Sequence, residues 1–164
     1  MITLIEDVRT AATSYVEKGW HVFALAPNAK TPHYHWSRLG YKSATTDLDK
    51  INKWCDQGVN LGIACAPSGL IVIDVDYRNE PDFDILEKLP NTYTVGTADG
   101  YHLYYEIEPG TYRGKVGDGI DIKYNGYVVA PPSLHPDGVQ YKIINYMEPI
   151  PFPTKLLSLI VRQS

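Results

Sequence analysis

Cysteine is scarce in this chain of 164 residues: there are two, Cys55 and Cys65. Neither has a CxxC partner or belongs to a spaced Cys/His set, which argues against a structural zinc site and fits a reducing compartment. Long apolar runs are missing too. None approaches the roughly 20 residues needed to cross a bilayer. The first ten residues, MITLIEDVRT, carry acids early and lack the basic-then-apolar order of a secretion signal. A cytoplasmic protein without membrane contact is expected. A basic excess is also absent, since the formal net charge is -4, so the protein does not coat nucleic acid by bulk electrostatics, although a local basic groove stays open. There is no repeat, low-complexity tract or linker, and the length suits one domain over residues 1–164.

What is present is unevenly spread. From Lys18 to Thr46 the chain has Lys18, Lys30, Arg38 and Lys42 and no acid, with His21, His33 and His35 among them. From Asp74 to Glu87 six acids stand against Arg78 alone. Solvated surface charge accounts for such blocks, and so does a site that grips phosphates and metal together.

The apolar spacing predicts a helix over residues 4–18 stopped by Gly19, and a strand in WHVFALAP closed by Pro27. A helix opens at Thr45-Thr46-Asp47 and runs to Gly58. Asn60–Ala64 is a strand, and Leu70–Asp76 is an apolar run of the kind buried on both faces. A short helix follows over Pro81–Leu89. The rest is strand-rich, over residues 92–97, 102–107, 119–123, 127–130 and 139–144, with Asn125-Gly126 as a two-residue hairpin signal. A last helix covers residues 154–161. The fold class is α+β with a mixed or antiparallel sheet. Most of the thirteen tyrosines should pack in or around the core of such a sheet.

Asp74 and Asp76 end the most hydrophobic strand and, two apart, share one face. Two ionised acids beside a dry strand repel each other and lose solvation, so one takes a proton or a cation neutralises both. Hard oxygen ligands suit Mg2+ or Mn2+. An acidic strand end that simply meets water is the plain alternative. In Gly119-Ile120-Asp121-Ile122-Lys123, Asp121 and Lys123 share the face opposite Ile120 and Ile122. If that strand neighbours Leu70–Asp76, a third carboxylate completes a two-metal site for phosphoryl transfer; otherwise it is the polar side of a hairpin arm. A turn delivers His102 to the start of a strand, where it serves as phosphate donor, metal ligand or acid-base group, or is an ordinary strand histidine. Ser133 and His135 project from the stiff segment APPSLHP.

Taken in order, Lys30-x-Pro32, the TTD helix start, the NxGIA strand, IVIDVD, the Gly-x-His strand, GIDIK and GYVVAPPSLHPDG resemble the bifunctional primase-polymerase domain of the archaeo-eukaryotic primase group. That family occurs in phage and plasmid replication proteins, often beside a helicase. The resemblance spans about residues 11–141. It implies an RRM-like catalytic core with an αβ amino-terminal module, and template-directed nucleotidyl transfer from NTPs or dNTPs on single-stranded DNA with two Mg2+ or Mn2+ ions. It assigns Asp74, Asp76 and Asp121 to the metals and His102 to the incoming phosphates, with Lys30, Lys123, Ser133 and His135 near the nucleotide. Two positions depart from the family pattern. Asp99 replaces the first of two glycines before the histidine, adding a negative charge where phosphates arrive. Lys123 stands where Arg is more usual and loses its planar fork. A different DxD enzyme, such as a glycosyltransferase or nuclease, and a non-catalytic nucleotide or single-strand binding module are the competing readings.

Overall fold

The structure, a computed structural model, describes residues 7–162. Leu4, the first apolar residue of the expected amino-terminal helix, lies outside them. Asp7 accepts a hydrogen bond from the Thr10 N–H at 2.7 Å and opens α1 (Val8–Glu17), whose buried stripe is Ala11, Ala12 and Tyr15. β1 (His21–Leu25) follows. α2 (Leu48–Asn52) is shorter than its pattern suggested: Lys53 and Trp54 bond back three residues instead of four, and the chain continues in turns that bury Trp54 and Cys55. β2 (Asn60–Ala64) and β3 (Leu70–Asp76) are buried almost throughout. Asp82 caps α3 (Phe83–Lys88). β4 (Tyr93–Gly96), β5 (Gly100–Glu106), β6 (Lys115–Gly117), β7 (Ile120–Lys123), β8 (Tyr127–Ala130), β9 (Lys142–Asn145), β10 (Ile150–Pro151) and α4 (Leu157–Ile160) complete the order. β6 and β10 have no signal of their own in the sequence.

These strands make two sheets. The smaller is β1-β2-β8, and the larger runs β6-β7-β3-β5-β4-β9 with β10 against β5. All pairings are antiparallel except β10 with β5. The central order β7-β3-β5-β4, with α3 crossing from β3 to β4, is the fourth-first-third-second order of an RRM-like sheet. No second helix separates β5 from β7. Instead α4 and Phe152, from the end of the chain, cover the same apolar face. This is the α+β, primase-like arrangement expected.

The predicted Asn125-Gly126 hairpin does not form. β7 pairs with β3 in the large sheet, whereas β8 pairs with β2 in the small one. The links between them run side by side, with Cys65 N–H donating to Gly126 O and Ala66 N–H to Tyr124 O, both at 3.0 Å. Thus β2–β3 and β7–β8 bend together from one sheet into the other. A turn signal carries no information about the neighbour on its flank, and here that neighbour continues past residues 65–69.

Alternation along β3 separates two cores. Leu70 and Val72 join Tyr93, Val95 and Tyr104 against the small sheet and α1. Ile71, Ile73 and Val75 join Ile120, Ile122, Phe152 and Ile160 on the opposite face. Trp20 seals the first core, stacking on Tyr15 at 5.6 Å and edge-on to Tyr93 at 5.4 Å. Most tyrosines are indeed at least partly buried, although Tyr34, Tyr77 and Tyr146 stand exposed. The site residues occupy the small-sheet side of the large sheet.

Candidate active site

Register brings the predicted residues together. Asp74 on β3 is paired with Asp121 on β7 and with His102 on β5, so the three lie in one row across adjacent strands. One step along, Val72 is paired with Lys123, and at the strand's end Asp76 is paired with Gly100. Between the two sheets lies a cleft of about 690 Å³, within the usual size range for a small-molecule site. Asp74, Asp76, His102 and Lys123 line it from the large sheet, Lys30, Tyr41 and Val129 from the small-sheet side, and His135 from the loop after β8. Asp121 is exposed and outside this lining, in register with Asp74.

Burial pushes the Asp74 carboxyl up to about 6; Asp121 and Asp76 push the same way, while Lys123 and Lys30 pull back. Asp74 is therefore an anion only partly compensated by its surroundings. His102 is 6% exposed, and burial, reinforced by Lys123 and Lys30, pushes it down to about 3. It is neutral at physiological pH, so its Nε2, 3.5 Å from Asp74 Oδ1, faces the carboxylate as an uncharged imidazole. Its buried Nδ1 has no hydrogen-bond partner among the described residues.

Asp76 differs. Its oxygens accept from Arg78 Nε at 3.1 Å, Arg78 N–H at 2.9 Å, a second guanidinium nitrogen at 2.9 Å and Asn79 Nδ2 at 3.2 Å. The bonds from Arg78 hold its carboxyl below the usual range. Arg78 also reaches Asp99 at 3.3 Å. Arg78 and Arg113 line the cleft and were not singled out from the sequence. The only hint for Arg78 was its position as the lone cation of the acidic stretch, two residues past Asp76.

Among the described residues no three His, Cys, Asp or Glu side chains are gathered closely enough to hold a metal ion. The donor set nonetheless suits a hard divalent cation. It is all carboxylate oxygen, and Asp74 and Asp121 sit opposite each other on neighbouring strands with like charge to neutralise. Asp74, Asp76 and Asp121 would hold it.

Lys30 is set over the cleft by its backbone: Tyr127 Oη donates to its carbonyl at 2.7 Å, and Asn60 Nδ2 donates to Ala29 O at 3.0 Å. Among the described residues neither Lys30 nor Lys123 closes an ion pair, which leaves both ammonium groups available to an anion. His135 stands beside Tyr141, whose ring also neighbours His102. Its Nδ1 accepts from Asp137 N–H at 3.0 Å, which directs Nε2–H outward as the donor.

Ser133 is not brought to the cleft. It is 2% exposed, its Oγ accepts from Leu61 N–H at 2.7 Å and donates to Leu61 O at 3.3 Å, and it ties the segment after β8 to β2. Ser133→Ala should therefore cost about 1–3 kcal/mol in urea unfolding, because a buried N–H loses its partner. Nucleotide affinity should stay the same; a selective loss of affinity at full stability would return Ser133 to the nucleotide.

No helix among the described residues is long and apolar enough to cross a membrane. No curated protein matches the chain. The family described as bifunctional DNA primase/polymerase, N-terminal, matches residues 12–155, nearly the whole chain. This chain belongs to the bifunctional DNA primase/polymerase N-terminal domain family.

Proposed function

We propose that this cleft carries out template-directed nucleotidyl transfer, starting or extending a DNA primer from NTPs or dNTPs in the cytoplasmic replication of a phage or plasmid. The row Asp121–Asp74–His102, of which Asp74 and His102 line a cleft edged by Lys30 and Lys123, carries this reading. Carboxylates and lysine ammonium groups share one cleft, as a metal-bound triphosphate requires. Asp74 and Asp121, with Asp76, would hold Mg2+ or Mn2+, and two such ions would supply activation of the attacking 3'-hydroxyl and charge stabilisation for the leaving phosphates. Asp74, ionised at neutral pH against the penalty of its burial, is the carboxylate that a bound cation would relieve most. His102 offers a neutral donor to the triphosphate, and Lys30 and Lys123 neutralise its charge. The acid-free stretch around Lys30, Arg38 and Lys42 follows single-stranded template or primer. A helicase domain or other replisome protein is the natural partner for such a product.

Incorporation of labelled dNTPs on a defined single-stranded template, with and without a supplied primer, tests this. The nucleotide added should follow the templating base and require Mg2+ or Mn2+. Asp121→Ala should lose at least ~100-fold in rate with an unchanged fold, since it removes an exposed carboxylate whose proposed role is to hold the catalytic cation. Incorporation that ignores the template would favour a different DxD enzyme. Metal-dependent dNTP binding without turnover would favour a non-catalytic nucleotide-binding module, the reading to which the occupied Asp76 lends some support.

A further inference from the structure

We propose that Arg78 is a movable phosphate ligand, which neutralises Asp76 until a divalent cation takes that carboxylate and which Asp99 then holds toward the triphosphate. This rests on the nucleotidyl-transfer reading above and concerns residues outside its metal and phosphate assignments.

Asp76 has no spare capacity as it stands. Four donors from Arg78 and Asn79 occupy its two oxygens, at 2.9, 2.9, 3.1 and 3.2 Å. An ionised carboxylate offers about four lone-pair sites. A cation binding at roughly 2.1 Å needs at least one of them, and its charge repels the guanidinium beside it. The cation and Arg78 therefore compete for Asp76.

Asp99 decides where the displaced guanidinium goes. Its Oδ2 lies 3.3 Å from an Arg78 terminal nitrogen that makes no bond to Asp76. The turn bearing it is fixed independently of its side chain, because Tyr77 N–H donates to Asp99 O at 2.9 Å and Thr97 N–H to Gly100 O at 3.0 Å. Released from Asp76, Arg78 stays tethered at one nitrogen, with its remaining donors free in a cleft shared with His102, Lys123 and Lys30. The negative charge at Asp99, which looked hostile to phosphates in the sequence, is thus matched by a cation. The planar fork that Lys123 lacks relative to Arg is supplied from the opposite strand end.

Mn2+ binding to nucleotide-free protein, followed by electron paramagnetic resonance, and dNTP binding at saturating Mn2+ separate the consequences. Arg78→Ala should bind Mn2+ more tightly, yet bind dNTP about 10-fold more weakly. Arg78→Lys keeps the charge and loses the fork, so it should shift both affinities in the same directions. Asp99→Asn should weaken dNTP binding, since the tether loosens. Tighter dNTP binding by Asp99→Asn would mean that Asp99 merely repels phosphate, and would overturn the proposal. So would unchanged affinities in Arg78→Ala. Arg78 is 63% exposed at its side chain, and circular dichroism should find every variant folded. A wild-type protein that binds no dNTP with Mn2+ would instead count against the nucleotidyl-transfer reading itself.

Discussion

Asp74→Asn should be more stable than the wild type near neutral pH and should incorporate no nucleotide. Lifting a buried carboxyl from 3.8 to about 6 means that the folded protein binds the Asp74 proton more tightly than the unfolded chain does. The sign follows. The associated stability is fully present below pH 4 and is lost as pH rises through about 6, so at neutral pH the wild type lacks it. The shift corresponds to about 3 kcal/mol at 1.36 kcal/mol per pKa unit. With the side chain still 29% exposed, solvent screening brings the expected gain nearer 2 kcal/mol. Asparagine keeps the shape without the charge. Urea unfolding at pH 5 and pH 7.5 in metal-free buffer should find the variant's advantage clearly larger at the higher pH. The depressed His102 tilts stability the other way, downward with acid, but does so in both proteins and largely cancels in the difference. Added Mn2+ should stabilise the wild type and leave the variant unmoved. Equal pH slopes in the two proteins would remove the electrostatic basis assigned to Asp74.

Gly100→Ala should be the most damaging of the glycine-to-alanine changes among the described residues. A Cβ at residue 100 would stand 1.9 Å from Val75 O and 2.9 Å from Val75 C, both backbone atoms of the strand that carries the acids. Neither can give way without parting β5 from β3 where Asp76 meets Gly100. A loss of about 4 kcal/mol or more is expected, from overpacking against backbone. Weaker nucleotide binding should accompany it. Gly126, whose added Cβ would meet nothing within 4 Å, is the control, and Gly126→Ala should fall within about 0.5 kcal/mol of wild type. A Gly100→Ala protein as stable as the control would contradict the close approach of the two strands.

Much of this site was legible before any strand was paired. The face shared by Asp74 and Asp76, and that of Asp121 and Lys123, follows from period-two alternation, which the flanking buried isoleucines obey. Their adjacency depended on topology, and β3 between β7 and β5 supplied it. Three features escaped for physical reasons. The Asn125-Gly126 signal describes backbone preference at two residues, while pairing is decided by strands some sixty residues away. Ser133 was placed near the nucleotide by the family's PPSxH pattern and by its stiff, proline-bound segment. Its burial and its bonds to Leu61 depend on β2, which no local pattern reveals. Arg78 was hidden because an exposed Arg in an acidic stretch usually has no fixed partner, and here two carboxylates from separate segments fix it.

The most direct test of this cleft is anomalous scattering from crystals grown with Mn2+ and a non-hydrolysable dNTP. Manganese peaks beside the carboxylates of Asp74 and Asp121, with the triphosphate running between His102 and Lys123, are the predicted result. Ordered nucleotide elsewhere on the protein, or manganese away from these carboxylates, would contradict it.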